Sequence, residues 1–255
     1  MRAATPTNPD ARRFRTTGMR DHEAADRVIR DGENRGAVLH SIRRSAEADV
    51  AVLVLHGGRS RSEEPMRPWR LAYLRMWWLA LRVARQHGGT SAVWLLRNRL
   101  RGWNEPDRDP VVDARWALRE IRRRSPRARI VLLGHSMGGR AALLLAGEDG
   151  VGDVCALAPW IEPSDPVEQL AGTRTLLAHG DRDGITSAPA SAEYARRANR
   201  AGHTARYRLV PSSGHAMLRR HREWTRLARE FVAEVGPSRA ASRTPSHLEG
   251  HAGGQ

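Results

Sequence analysis

Residues 129–146 read RIVLLGHSMGGRAALLLA. The apolar run over 130–133 predicts a buried strand, and the run from Ala141 predicts a helix packed against it. Between them stand Gly134, Ser136, Gly138 and Gly139. A serine on a sharp strand-to-helix turn has its hydroxyl lifted clear of the sheet, at the positive end of the next helix. The turn is tight, so its neighbours must be tiny, and Gly134 and Gly138 flank Ser136 at G-x-S-x-G spacing. An N-cap serine would also favour this position. The strand before it and the apolar helix after it select the nucleophile reading.

Outward from this turn, strand-like and helix-like segments alternate. GAVLHSIR (36–43), DVAVLVLHGG (49–58) and TSAVWLLRN (90–98) read as strands, as do DVCALAPW (153–160), TRTLLAHGD (173–181) and ARYRLVPSSG (205–214). Helical spacing and end signals place helices over 68–89, 109–126, 137–147, 187–202 and 221–235. The fold class is therefore α/β, a mostly parallel central sheet with helices on both faces. In such sheets chemistry gathers at the carboxyl ends of the strands. The domain spans 36–235. Residues 1–35 read as a flexible polar tail, and 236–255, rich in Gly, Ser, Pro and Ala, as a disordered one.

Composition narrows the function. The net charge is +15, yet all 43 basic residues are arginine. Selection for charge alone would not exclude lysine, so the bias points to the coding DNA, and no nucleic-acid partner is expected. Arg115, Arg119, Arg122 and Arg123 fall on one face of their helix, opposite Ala114, Ala117, Leu118 and Ile121, which predicts a solvated outer surface. No stretch approaches the roughly 18 apolar residues of a membrane span, and the first residues lack the apolar region of a secretory signal. A cytoplasmic protein without a membrane partner is expected. Cys155 is the single cysteine, and it reads as a small buried hydrophobe. Neither metal-ligand spacing nor a phosphate-binding loop occurs, so no cofactor is implied. Oligomeric state is not legible.

A serine hydroxyl is a poor nucleophile until a base takes its proton, and an acid must hold that base in one tautomer. His215 follows a strand end in SSGHAML. For the acid, Asp183 and Asp181 share the turn HGDRDG, and Asp165 is a more distant rival. The tetrahedral intermediate needs backbone donors. Met137, directly after Ser136, supplies one amide, and the glycine turn His56-Gly57-Gly58 supplies the other, from Gly58 or, failing that, Arg59.

LHGG, LLGHSMGG, AHGDRDGITS and PSSGHAM, in this order, resemble the α/β-hydrolase superfamily over residues 37–235. The stretch RGWNEPDRDPVVDARWALREI resembles small bacterial relatives of the dienelactone-hydrolase and serine-aminopeptidase-like type. The resemblance implies Ser136 as nucleophile, Asp183 rather than Asp181 as acid, His215 as base and Gly58 as oxyanion donor. Many members insert a cap domain where this chain has only IEPSDPVEQLAG (161–172), so an open site without a lid is expected. Its borders would be 57–69, 99–109 and 159–165. There Trp69, Trp103 and Trp160 are candidates to wall an acyl pocket, and Arg59, Arg61, Arg99 and Arg101 to steer acidic substrates; Arg59, Trp103 and Trp160 are the substrate-binding candidates. The expected function is a serine hydrolase acting on a small-molecule ester, thioester, lactone or amide. Alternatives are a non-catalytic binding protein on the same fold and a cofactor-free perhydrolase.

Overall fold

The computed structural model describes residues 28–30, 36–45, 47–85 and 91–235. Among the described residues eight strands form one sheet: β1 (Val28–Arg30), β2 (Val38–Arg43), β3 (Val50–Leu55), β4 (Ser91–Arg97), β5 (Arg129–His135), β6 (Val151–Leu157), β7 (Arg174–Gly180) and β8 (Thr204–Val210). Their spatial order is β1-β2-β4-β3-β5-β6-β7-β8. The first two pairings, β1 with β2 and β2 with β4, are antiparallel. The remaining pairings are parallel. Helices α1 (Leu71–Ala84), α2 (Asp109–Arg124), α3 (Met137–Leu144) and α4 (Ala188–Arg200) lie in crossovers between strands, and α5 (His221–Ala233) follows the last strand. No helix among the described residues is long and apolar enough to cross a membrane.

The two-residue period of a strand sends alternate side chains to opposite faces, and the central strands are apolar on both. Ala51, Leu53 and Leu55 of β3 join Ile130 and Leu132 of β5 in one core, against α2, α3 and α4. Val50, Val52 and Val54 join Val131 and Leu133 in the other, against α1 and α5. This explains the uninterrupted apolar runs that both strands show in the sequence. In α2 the buried stripe includes Ala114, Ala117, Leu118 and Ile121, while Arg115, Arg119 and Arg123 are exposed.

Parallel pairing brings the carboxyl ends of β3 to β8 to one edge. The loops that gather there are 56–70, 98–108, the turn at Ser136, 158–173, 181–187 and 211–220. Between β6 and β7 lies only a single 3-10 turn, Glu168–Leu170, so no cap domain interrupts the sheet at this point. Val28–Arg30 correct the sequence reading of 1–35 as tail, since they pair with Val38–His40. Three residues are too few to show a period, which hides such a strand. The expected tails otherwise lie outside the described residues, 236–255 entirely.

Candidate active site

Ser136 joins β5 to α3 with φ 55° and ψ −118°. Positive φ is unfavourable for a residue with a Cβ, and the surroundings hold it there. Its N–H donates to the Leu157 carbonyl at 3.0 Å, and its own carbonyl accepts from Arg140 at 3.1 Å and Trp160 at 3.2 Å. The flanking glycines are sterically required. A Cβ on Gly134 would lie 2.2 Å from the Gly138 carbonyl oxygen, and one on Gly138 would lie 2.5 Å from that of Leu55. No side chain fits either gap. The sequence signal G-x-S-x-G is thus the imprint of backbone packed on backbone.

The structure brings Ser136, His215 and Asp183 together across 79 residues of chain. His215 Nε2 lies 3.0 Å from Ser136 Oγ, and His215 Nδ1 lies 2.9 Å from Asp183 Oδ2. Burial pushes the Asp183 carboxyl up, but the N–H groups of Thr186 and Ile185 and the His215 ring outweigh it, and the net shift is downward. Asp183 is therefore a carboxylate, able only to accept. His215 must place its proton on Nδ1, which leaves Nε2 free to accept from the serine hydroxyl. Asp181 is not part of this line. Its carboxylate accepts from the Ser213 N–H at 3.3 Å.

Three further residues, which the sequence reading did not assign to the site, tie it down. Thr186 Oγ1 lies 3.0 Å from Asp183 Oδ2 and 3.1 Å from His215 Nδ1. His179, fully buried, has Nε2 3.2 Å from Asp183 Oδ2 and Nδ1 2.8 Å from Ser191 Oγ. His135 packs its ring 4.9 Å from that of His215, and its Nε2 donates to the His215 carbonyl at 3.0 Å. Burial, helped by Arg75, lowers the His135 pKa to about 3, so it packs there as a neutral ring. The signal for Thr186 was local, an Asp followed three residues later by a donor whose N–H it can cap.

Met137 opens α3, so its N–H has no acceptor within the helix. The Gly58 N–H makes no backbone hydrogen bond among the described residues, whereas the Arg59 N–H is spent on the Arg101 carbonyl at 2.8 Å. A Cβ on Gly58 would fall 2.5 Å from Met137 Sδ, which places the two turns side by side. Gly57 adjoins the serine itself, since its Cβ would be 3.2 Å from that of Ser136.

The mouth differs from the sequence expectation. Trp103 is fully buried, with its indole N–H donating to Glu105 at 2.7 Å, so it cannot wall a pocket. It packs edge-on to Trp160, 5.9 Å between ring centroids, and the Arg140 guanidinium lies 4.6 Å from each ring. Arg140 in turn grips Asp165 through Nε and Nη2, with a shortest contact of 2.8 Å. Asp165 is thereby removed as a rival acid. Trp160 is half-buried at the edge of this stack, and Trp69 is exposed. Two of the four steering arginines are engaged as well. Arg99 pairs with Asp109 and Asp113, and Arg101 with Glu64. A paired cation projects little field, so Arg59 and Arg61, both exposed, are what remains of that patch.

No protein-family model matches the sequence, and no curated protein matches it. Solved structures do match. A lidless α/β serine hydrolase from Xanthomonas campestris superposes with TM-score 0.61 at 15% identity, covering 82% of this chain and 96% of the other. An α/β-hydrolase enzyme from a Medee basin deep-sea metagenome library gives TM-score 0.64 at 16% identity, covering 80% and 95%. A thermophilic esterase from the Planctomycetes species Thermogutta terrifontis, with butyrate bound, gives 0.59 at 17%, covering 82% and 94%. The chain has the α/β-hydrolase fold.

Proposed function

We propose that the protein is a cofactor-independent serine hydrolase that cleaves a carboxylic ester, or a related thioester, lactone or amide, through an acyl-enzyme. The observation that carries the reading is the unbroken line from Ser136 Oγ to His215 Nε2 at 3.0 Å and from His215 Nδ1 to Asp183 at 2.9 Å. In the first half-reaction Ser136 Oγ attacks the carbonyl carbon while His215 Nε2 takes the hydroxyl proton. Asp183 stays ionised and stabilises the imidazolium that forms. The Met137 and Gly58 amides receive the developing oxyanion, a role in which a single donor is worth about 10²–10³ in rate. His215 returns its proton to the leaving group. Water then enters, gives its proton to the same nitrogen and releases the acid.

Among the described residues the short 158–173 connection places no domain above Ser136, which favours small or extended acyl substrates reaching it from solvent. The thermophilic esterase among the structural neighbours supports the ester as the first bond to try. The test is hydrolysis of p-nitrophenyl esters, thioesters and aminoacyl amides by the purified protein and its Ser136→Ala variant. Turnover should fall by about 10⁴–10⁶ in the variant. Equal turnover by both proteins would sink the proposal.

A further inference from the structure

On the face of the sheet opposite Arg140, α1 and α5 flank a groove of about 430 Å³. That is within the range of small-molecule sites. Its floor is apolar and buried, with Met217 and Trp224 as the largest groups. Its rim is apolar and open: Leu71 is 77% exposed, Trp78 61% and Leu218 73%. On α1 the residues at 71, 74, 75, 78 and 82 share one face by helical spacing. A solvent-facing stripe would be polar, and here it carries two leucines and a tryptophan. Apolar surface gathered around a concavity marks a place where something binds.

Arg75, half-buried among these residues, gives the occupant a charge. Its Nε is buried and has no hydrogen-bond partner. Burial pulls its pKa below the ordinary guanidinium value. The groove is lined by Arg75, Arg82 and His221 but by no aspartate or glutamate. A guanidinium nitrogen that has lost water without gaining an acceptor is costly, and a carboxylate on the two remaining nitrogens would add the counter-charge the groove lacks, with paired hydrogen bonds. Arg140, which is buried, has such a partner in Asp165. The groove shares the loop after β8 with the triad. Met217 stands two residues beyond His215, and Arg75 acts electrostatically on His135, whose ring packs on that of His215.

We propose that this groove binds a single-chain fatty carboxylate, with its alkyl chain along Leu71, Trp78 and Leu218 and its carboxylate on Arg75. The inference does not depend on Ser136 being a nucleophile, and the test is arranged accordingly. Decanoate, below its micelle concentration, is titrated into the full-length Ser136→Ala protein by calorimetry, beside butyrate and decyltrimethylammonium. One saturable site for decanoate is expected, with butyrate and the ammonium at least tenfold weaker. Arg75→Gln should weaken decanoate at least tenfold and leave the ammonium no weaker, while Trp78→Asp, at an exposed position, should weaken decanoate as well. Absence of decanoate binding, or equal binding by the Arg75→Gln and parent proteins, would overturn the proposal. So would binding that appears only with phosphatidylglycerol vesicles, or a dimer in sedimentation that Trp78→Asp disperses, since each would give the face a different occupant.

Discussion

Two buried carboxylates stand at neighbouring strand ends, Asp165 after β6 and Asp183 after β7. Each is held by a nitrogen-bearing side chain at close range, Asp165 by Arg140 and Asp183 by His215. The partners differ in one property. A guanidinium never gives up its proton, and Arg140 is moreover clamped between Trp103 and Trp160, so that pair fixes the 158–173 connection against α3. An imidazole exchanges its proton readily, and its other nitrogen reaches Ser136. The same kind of pair is a fastening in one place and a proton path in the other. What separates them is the group at the far end, two indole rings or a hydroxyl.

Substituting each acid by its amide should break this comparison in opposite directions. Asp183→Asn retains Oδ1 for the Ile185 and Thr186 amides, so the fold should survive. Its amide nitrogen faces His215 Nδ1 and favours the wrong tautomer, and kcat/KM should drop by about 10⁴. Asp165→Asn removes the counter-charge from a buried guanidinium and should cost about 3–5 kcal/mol of stability, with kcat of the folded fraction within tenfold of the parent. Paired urea titrations and esterase assays read both effects. A stable Asp165→Asn, or an Asp183→Asn with full turnover, would dissolve the distinction.

A smaller effect sharpens it through pH. The serine corner is surrounded by histidines held neutral by burial, His135 at about 3 and His56 at about 4. In the unfolded chain each titrates near the ordinary value of about 6.5. Between those values the unfolded state binds more protons than the folded one, so stability is full above about pH 6.5 and falls as pH drops. From pH 7 to pH 5 each such histidine should remove about 2 kcal/mol. Asp183, shifted downward, acts in a lower window, giving up its contribution only as pH falls through the carboxylate range. Unfolding free energies at pH 7, 6 and 5 check this, and a flat series would contradict it.

The sequence was most readable where geometry leaves no choice of residue. Gly134 and Gly138 are forced by contacts under 3 Å, and the strands they punctuate are apolar on both faces, so the turn at Ser136 and the sheet could be seen together. His215 followed from its place after a strand. Choosing Asp183 over Asp181 was harder, because two residues of one turn look alike until the loop's curl sends one under the histidine and the other outward. The burial of Trp103 is not legible in the sequence, because a loop tryptophan reads the same whether it faces a pocket or lies beneath it. The Arg140–Asp165 pair joins positions 25 residues apart with no periodicity between them, and Arg75 sits on an amphipathic helix where arginine is ordinary. Lack of a partner is a property of three dimensions only.

The central claim, that a single hydroxyl is activated by the imidazole beside it, is tested most directly by a fluorophosphonate, which bonds only to an activated nucleophile. Intact-mass measurement should give one adduct per chain, mapped to Ser136, retained in Asp165→Asn and lost in Ser136→Ala and His215→Gln. A parent protein that stays unmodified, or an adduct that persists without the Ser136 hydroxyl, would contradict the account.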